Sequence, residues 1–589
     1  MKYILIILFA FTVNAQDGTT RFFVNRDAGG SANGTSWTNA WLNPDDIDFS
    51  VLTAGDTVYV SGGTDSTTYY PNSVSGIVLG NISSGSGVYT FAAGNPVVIC
   101  PSWEANHNGT VYLSCLNSHT RVLAVGNISN VKITGFTLLD QRTQNIEGGS
   151  MVQLGNADWD GANGGTIDSL ITLDNCHIIS KGFASLITLS GCKSTFSNNY
   201  QETISNEYGY EQDQFGINGG RGGHSILNNI MIARNHLTDT SFSANGAVTI
   251  DATSLTDTRL SYSANQFLGA SIKVGLAYLQ IVTHTSTAFT GTGWVNYDED
   301  GNPSPAATPA NGSAWELVSD AHRDGIQISN IGYVYGADSL WRLNNERLDF
   351  TIANNLYIDY HEGGSHQNNM LYNYGWIVTT DVRFLIYNNI FVNRKNQSGI
   401  GGIAIGRYYV GAYSEFNSIH ILNNTLISAG TSGSMFTFWS ADTLVMANNL
   451  WVKDLEAPNI LNLENGQSLW DDVVRYIDYN RYFEYGGQSN PFAANVDSTD
   501  WADWNNNFDQ HSDYRNSTEV TFTSKYGLTK QSYYTTAGRD SAIDLSAEYP
   551  FLATDILGNP RSGSWDIGCL EYQSPSTPTG VRMRVIIIQ

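Results

Sequence analysis

Charge is scarce in this 589-residue chain, and cations are scarcer than anions. Only 14% of residues are charged, with 29 Lys+Arg against 54 Asp+Glu for a net charge of −25. Such a field repels nucleic acid and anionic membrane surfaces, so neither is expected as a partner. A polyanionic ligand would meet the same repulsion unless a local basic cluster or a bound cation offset it. The bland consequence of the acidity is solubility in salty surroundings. Cysteine is also rare, limited to Cys100, Cys115, Cys176, Cys192 and Cys569. An odd count over this length is not a disulfide framework. Two local pairings, Cys100–Cys115 and Cys176–Cys192, stand beside the alternative that the thiols are small buried hydrophobes. No Cys-x-x-Cys spacing of a metal site is present. Long helical stripes are missing throughout. One apolar run stands out, Tyr3–Val13. It follows Lys2, precedes the small-residue site Val13-Asn14-Ala15, and is too short to span a bilayer. It reads as a secretory signal peptide cleaved near Ala15, so the mature chain is expected to be secreted or at the cell surface, without membrane insertion.

What the chain has instead is a cadence. Asn-Asn pairs recur inside short apolar runs: SILNNIMIA (225–233), LDFTIANNLYID (348–359), VRFLIYNNIFVN (382–393), SIHILNNTLIS (418–428) and LVMANNLWVK (444–453). The second asparagines of the later runs, Asn355, Asn389, Asn424 and Asn449, are separated by 34, 35 and 25 residues. One strand–Asn-Asn–strand unit per period of this size predicts a solenoid, which grows by adding coils to one continuous core. Asparagine tolerates the left-handed backbone of a sharp bend, and stacked asparagines can hydrogen-bond in a ladder.

Between about Val97 and Trp451 the chain is short alternating β-runs broken by Gly, Asn, Asp and Ser. Before them, Trp37 and Trp41 have a helical spacing. A short amphipathic helix there would cap the open end of a solenoid, with the cap spanning about 16–60. Gly291–Ala314, rich in Gly, Pro, Asn and Thr, reads as a long loop out of the coil. From Asp454 to Gln531 the repeat decays, and 454–573 is expected to form late, irregular coils. Residues 574–589 read as a linker followed by a short apolar strand, Val581–Gln589.

Phe23–Ala40, FVNRDAGGSANGTSWTNA, resembles the opening segment of many secreted right-handed parallel β-helix proteins of the pectate-lyase-like superfamily. The end is more specific. Asp540–Leu545 and then Asp555–Tyr572 (DILGNPRSGSWDIGCLEY) resemble that superfamily's closing signature, S-P-A-I-D-x-G followed by D-x-x-G-x-P-R…D-I-G-A-x-E-Y. Here Ser541-Ala542 replaces Ser-Pro and Cys569 replaces the usual Ala. The resemblance implies an all-β, right-handed, single-stranded solenoid over nearly the whole mature chain, with polysaccharide as partner. It leaves the reaction open, because one fold hosts lyases, hydrolases, spikes and adhesins.

In a β-helix, side chains pointing out of one stacked sheet form a groove suited to an extended polymer. The best candidate is Ser319–Ser329 (SDAHRDGIQIS). Ile326 and Ile328 should point inward, placing Gln327 and Ser329 outward. Asp320, His322, Arg323 and Asp324 lie in the turn just before that strand. One coil later come His361, Glu362, His366, Gln367 and Tyr372, then Arg407 and Tyr408. Upstream, a Gly-rich turn carries Asp213, Arg221 and His224. β-Elimination on a uronate polymer needs a base for the proton alpha to the carboxylate, and a cation to stabilise the enolate-like intermediate. His322 or His366 as base, Tyr372 as acid and Arg323 as neutraliser would fit, with Asp320, Gln327, His361, Gln367, Arg407, Tyr408, Arg221 and His224 binding substrate. A glycoside hydrolase would instead use paired carboxylates, Asp320 with Asp324 or Asp324 with Glu362. A non-catalytic glycan-binding, adhesive or spike protein is the third reading. The chain reads as a monomer, and a trimer would favour the spike. Exposed Asp, Glu and Asn oxygens would suit Ca²⁺ better than a transition metal, since His361, Glu362 and His366 lack the H-E-x-x-H spacing. Gly219–Gly223 has neither the Walker lysine nor the Rossmann spacing.

Overall fold

The computed structural model describes residues 20–571, apart from stretches between strands. The longer of these stretches are 81–88, 142–149, 156–168, 204–212, 234–240, 261–270, 319–324, 330–347, 360–370, 374–381, 394–401, 406–417, 464–472 and 485–504. Three sheets of twelve, twelve and ten strands are built from parallel pairings. Ten successive coils each give one strand to each sheet. In one coil, Leu348–Ala353 joins the first sheet, Leu356–Asp359 the second and Leu371–Asn373 the third. The chain is an all-β parallel β-helix.

The two asparagines of each pair do different things. The first takes the left-handed bend between the first and second sheets, with φ of 57° at Asn354, 52° at Asn388, 54° at Asn423 and 59° at Asn448. The second is buried and stacks. Asn199, Asn229, Asn355, Asn389, Asn424, Asn449 and Asn480 form a continuous ladder along the axis. Asn424 Oδ1, for example, accepts from the backbone N and the Nδ2 of Asn389, both at 3.0 Å. Its own Nδ2 donates to Asn449 Oδ1 at 3.1 Å and to the Ile386 carbonyl at 2.8 Å. The amides thus satisfy backbone groups that the bend removes from the sheet ladders. Inside, apolar columns stack in register, as Ile226, Ile352, Ile386, Ile421 and Met446 do in the first sheet.

The late part of the chain departs from the expected run of irregular coils. Asn459–Leu463, Val474–Asp478, Arg481–Glu484 and Asp513–Asn516 do extend the three sheets. Residues 517–571 then run back as a strap along the outside of the first and second sheets. The physical reason is that the later coils are apolar on their outer faces as well as inside. Leu356, Ile358, Ile390, Val392, Ile427, Leu450 and Val452 of the second sheet are covered by Val520, Tyr533, Ile556, Ile567 and Leu570. Leu422, Val445 and Ala447 of the first are covered by Leu545, Tyr549, Leu552 and Trp565. The bend asparagines hold the strap. Asn388 Nδ2 donates to the Thr554 carbonyl, and the Asn448 amide exchanges two hydrogen bonds with the Ile543 backbone.

The closing signature explains itself within this strap. The Asp555 carboxylate accepts from the backbone N–H groups of Leu557, Asn559 and Glu571. Arg561, fully buried, donates to Glu571 Oε2 (3.1 Å), Asn388 Oδ1 (3.3 Å) and the Asp566 and Gly568 carbonyls. Gly568 has φ +98°, and a Cβ there would stand 2.7 Å from Thr425 Oγ1. Replacing Arg561 by methionine leaves Glu571, Asn388 and two carbonyls without their donor. A loss of about 3–5 kcal/mol is expected, read as a lowered melting temperature and faster proteolysis of the strap.

Three further expectations are corrected. Trp37 and Trp41 do not lie on a helix. Trp41 forms an isolated parallel bridge with Val24, and Trp37 stacks on His107 at 3.7 Å while donating to Glu104 Oε2. The helical elements of the cap are the short 3₁₀ turns Pro44–Asp46 and Phe49–Val51. Gly291–Ala314 is not one long loop. It contributes to Ala288–Tyr297 and Pro303–Pro305, strands of an inserted antiparallel sheet within 241–318 that has its own core around Leu255, Leu279, Phe289 and Trp315. The Thr/Gly-rich composition hid a strand whose apolar partners lie elsewhere. Cys100 is a free thiol, so no Cys100–Cys115 disulfide exists. Cys115, Cys176 and Cys569 are buried, as the small-hydrophobe reading has it, and burial pushes the Cys176 thiol up to about 12. Cys192, residues 1–19 with the expected signal peptide, and the tail from 572 lie outside the described residues.

Candidate functional site

Among the described residues, the strap packs and bonds on the first two sheets. On the third sheet the outward row is half-exposed at Gln153, Thr188 and Gln327 and buried at Ala124 and Thr437. The candidate strands fall on this third sheet. Ile326–Ser329 lies between Asp213–Asn218 and Leu371–Asn373, which in turn pairs with Ile403–Ile405. Ile326 and Ile328 are buried and Gln327 is half-exposed, so the alternation read from the sequence holds. One outward row runs across successive coils through Gln153, Thr188, Gly216 and Gln327, and Tyr372 occupies the next register position. Neighbouring coils are about 4.8 Å apart.

The geometry therefore brings Gln327 and Tyr372 into register on adjacent strands. The strings that carry the other candidates run directly into those strands. Residues 319–324, with Asp320, His322, Arg323 and Asp324, lead into the strand starting at Ile326. Residues 360–370, with His361, Glu362, His366 and Gln367, lead into the one starting at Leu371. The two strands begin side by side, Ile326 paired with Leu371. Those strings, together with Arg221, Arg407 and Tyr408, lie outside the described residues.

His224 is a correction. It precedes Ser225–Leu227 of the first sheet and is only 1% exposed, its ring 5.8 Å from Phe350 and its Nδ1 accepting from the Ser194 backbone N–H at 3.2 Å. It is a core histidine and binds no polymer on the surface. Burial lowers its pKa to about 4. A histidine held neutral in the fold lets the unfolded chain bind more protons between pH 6.5 and 4. Its contribution is therefore intact above pH 6.5 and lost as pH falls to 4, by about 3 kcal/mol. Melting curves at pH 7.5 and 4.5 should show a smaller acid-induced drop in His224→Gln than in the wild type.

Sequence reasoning missed Gln153, Thr188 and Gly216. None carries reaction chemistry, and their row becomes visible only through the strand register. Among the described residues no group of three or more His, Cys, Asp or Glu is placed to hold a metal ion. No described helix is long and apolar enough to cross a membrane.

No family model matches the chain, and no curated protein matches it. Solved structures do. A pectate lyase aligns over 94% of this chain and 97% of its own, at 10% identity and a TM-score of 0.39. A rhamnogalacturonan lyase aligns over 74% and 82%, at 11% identity and a TM-score of 0.34. A lacto-N-biosidase from Eubacterium ramulus aligns over 84% and 67%, at 9% identity and a TM-score of 0.30. At these identities the likeness is one of fold.

Proposed function

We propose that this chain is a secreted polysaccharide-degrading enzyme that cleaves a uronate-containing glycan by β-elimination on the outer face of the third sheet. The observation that supports this reading most is the register of Gln327 with Tyr372 on the third sheet, where Gln327 is half-exposed. Both strands are entered by strings rich in His, Arg and acid. An extended polymer laid along that face meets one coil about every 4.8 Å.

In the reaction, His322 or His366 removes the proton alpha to the uronate carboxylate, and Arg323 neutralises that carboxylate as the enolate-like charge develops. The electron pair then forms the ring double bond as the bond to the glycosidic oxygen breaks. Tyr372 gives that oxygen its proton. Gln327 holds the sugar ring. Ca²⁺ bound to carboxylate and amide oxygens would supplement Arg323, which matters in a chain of net charge −25.

The test is an ultraviolet absorbance assay on purified protein, with and without Ca²⁺, against a panel of uronate-containing polysaccharides. Rising absorbance from an unsaturated sugar end is the expected result. A flat trace with new reducing ends would replace elimination by hydrolysis. A flat trace with neither would replace the enzyme by a glycan-binding protein.

A further inference from the structure

A second open face lies on the early coils of the second sheet. One outward row there runs in register through Thr68, Tyr112, Thr137, His177 and Tyr200. The same row continues as Ile230, Leu356 and Ile390, which pack against the strap. Its character changes where the cover ends. Against the strap it is aliphatic at Ile230, Leu356 and Ile390, the first partly buried and the other two fully buried. Beyond the strap it is aromatic and polar, with His177 exposed and Tyr112 and Tyr200 half-exposed.

The rings are held in place. His177 and Tyr200 meet edge-on at 5.2 Å, and Tyr200 Oη donates to Glu202 Oε2 at 3.2 Å. Half-exposed tyrosines present an apolar ring with a polar tip, the combination that suits a partner both apolar-faced and hydroxylated. A pyranose ring is such a partner, and the coil repeat of about 4.8 Å is commensurate with one sugar residue. Charge narrows the class. Among the described residues, the row from Tyr112 to Tyr200 has no Lys or Arg of its own and the carboxylate Glu202 beside it. Arg26 reaches its first member, donating to the Thr68 carbonyl at 3.1 Å. Burial of its flank holds the His177 imidazole below its ordinary range. From Tyr112 onward the row therefore favours hydroxyl groups over a uronate, offering them hydrogen-bond acceptors.

We infer that this stripe is a second, non-catalytic binding face for an uncharged polysaccharide chain, separate from the third sheet. It anchors the protein on neutral glycan, and this role does not require the elimination reaction.

Native affinity electrophoresis tests it, using gels that contain hydroxyethylcellulose, galactomannan or laminarin. Wild-type protein should be retarded by at least one of the three. The double variant Tyr112→Ala/Tyr200→Ala should lose that retardation by at least tenfold in apparent affinity, and Gln327→Ala should keep it. His177→Ala, an exposed single change, guards against a folding artefact and should weaken retardation by severalfold with an unchanged melting temperature. Migration of the wild type unaffected by all three polymers, or equal retardation of wild type, His177→Ala and the double variant, overturns the inference.

Discussion

Asn424→Ala should be among the most destabilising single substitutions in the molecule, costing about 4 kcal/mol or more. The side chain sits in mid-ladder. Its Oδ1 serves the backbone and side-chain amides of Asn389, and its Nδ2 serves Asn449 and the Ile386 and Leu422 carbonyls. Truncation strands these groups where water does not reach, at about 1–3 kcal/mol for each left unsatisfied. The bend itself survives, because Asn423, not Asn424, holds the left-handed φ. The cost therefore isolates the ladder. In a solenoid the damage is expected to start locally and spread to neighbouring coils. Hydrogen exchange should show lost protection first in 386–392 and 445–452. Asn423→Gly keeps the bend conformation, and Asn423 Oδ1 and Nδ2 have no partner in the structure, so it should cost far less. Equal stability losses for the two variants would contradict this division of labour.

The largest functional effect is expected from the strings entering the third sheet. His322→Ala or Tyr372→Phe should lower kcat by about 10²–10⁴-fold, the range for loss of a general acid or base. The fold should be unaffected. Gln327→Ala, which removes a half-exposed contact, should act mainly on KM. If both His322→Ala and His366→Ala keep full turnover, neither is the base. Asp324→Ala and Glu362→Ala separate the hydrolytic alternative, since paired-carboxylate chemistry would collapse with either.

Much of the architecture was legible in the sequence because it is written in repeated local rules. The Asn-Asn cadence reports a left-handed bend and a buried amide at each coil, and both asparagines do what those rules require. The strict alternation of Ile326, Gln327 and Ile328 assigned inside and outside correctly. What escaped detection was non-local. Nothing near Leu356 or Ile390 says that their outward side chains are covered by a strap more than a hundred residues downstream. Thr- and Gly-rich strands such as Ala288–Tyr297 look like loop until their partners are known. The spacing of Trp37 and Trp41 fits a helix, but backbone bonding to Phe23 and Asn25 holds Trp41 beside the first strand instead. His224 sat among Gly and Arg in a string that looked like a binding turn. Only its place at the start of a first-sheet strand, packed on Phe350, shows it to be core. The candidate row was half legible. Gln327 and Tyr372 were named from chemistry, whereas Gly216 joins them across the inserted sheet and could be found only through register.

Product mass tests the central claim most directly. Wild-type protein is incubated with a uronate-containing polysaccharide that it degrades, and the fragments are weighed by mass spectrometry. Elimination adds no water, so each cleavage should yield one saturated and one unsaturated end, with the summed mass of the fragments equal to that of the parent. Fragments heavier by one water per cleavage would contradict elimination and assign hydrolysis to this fold instead.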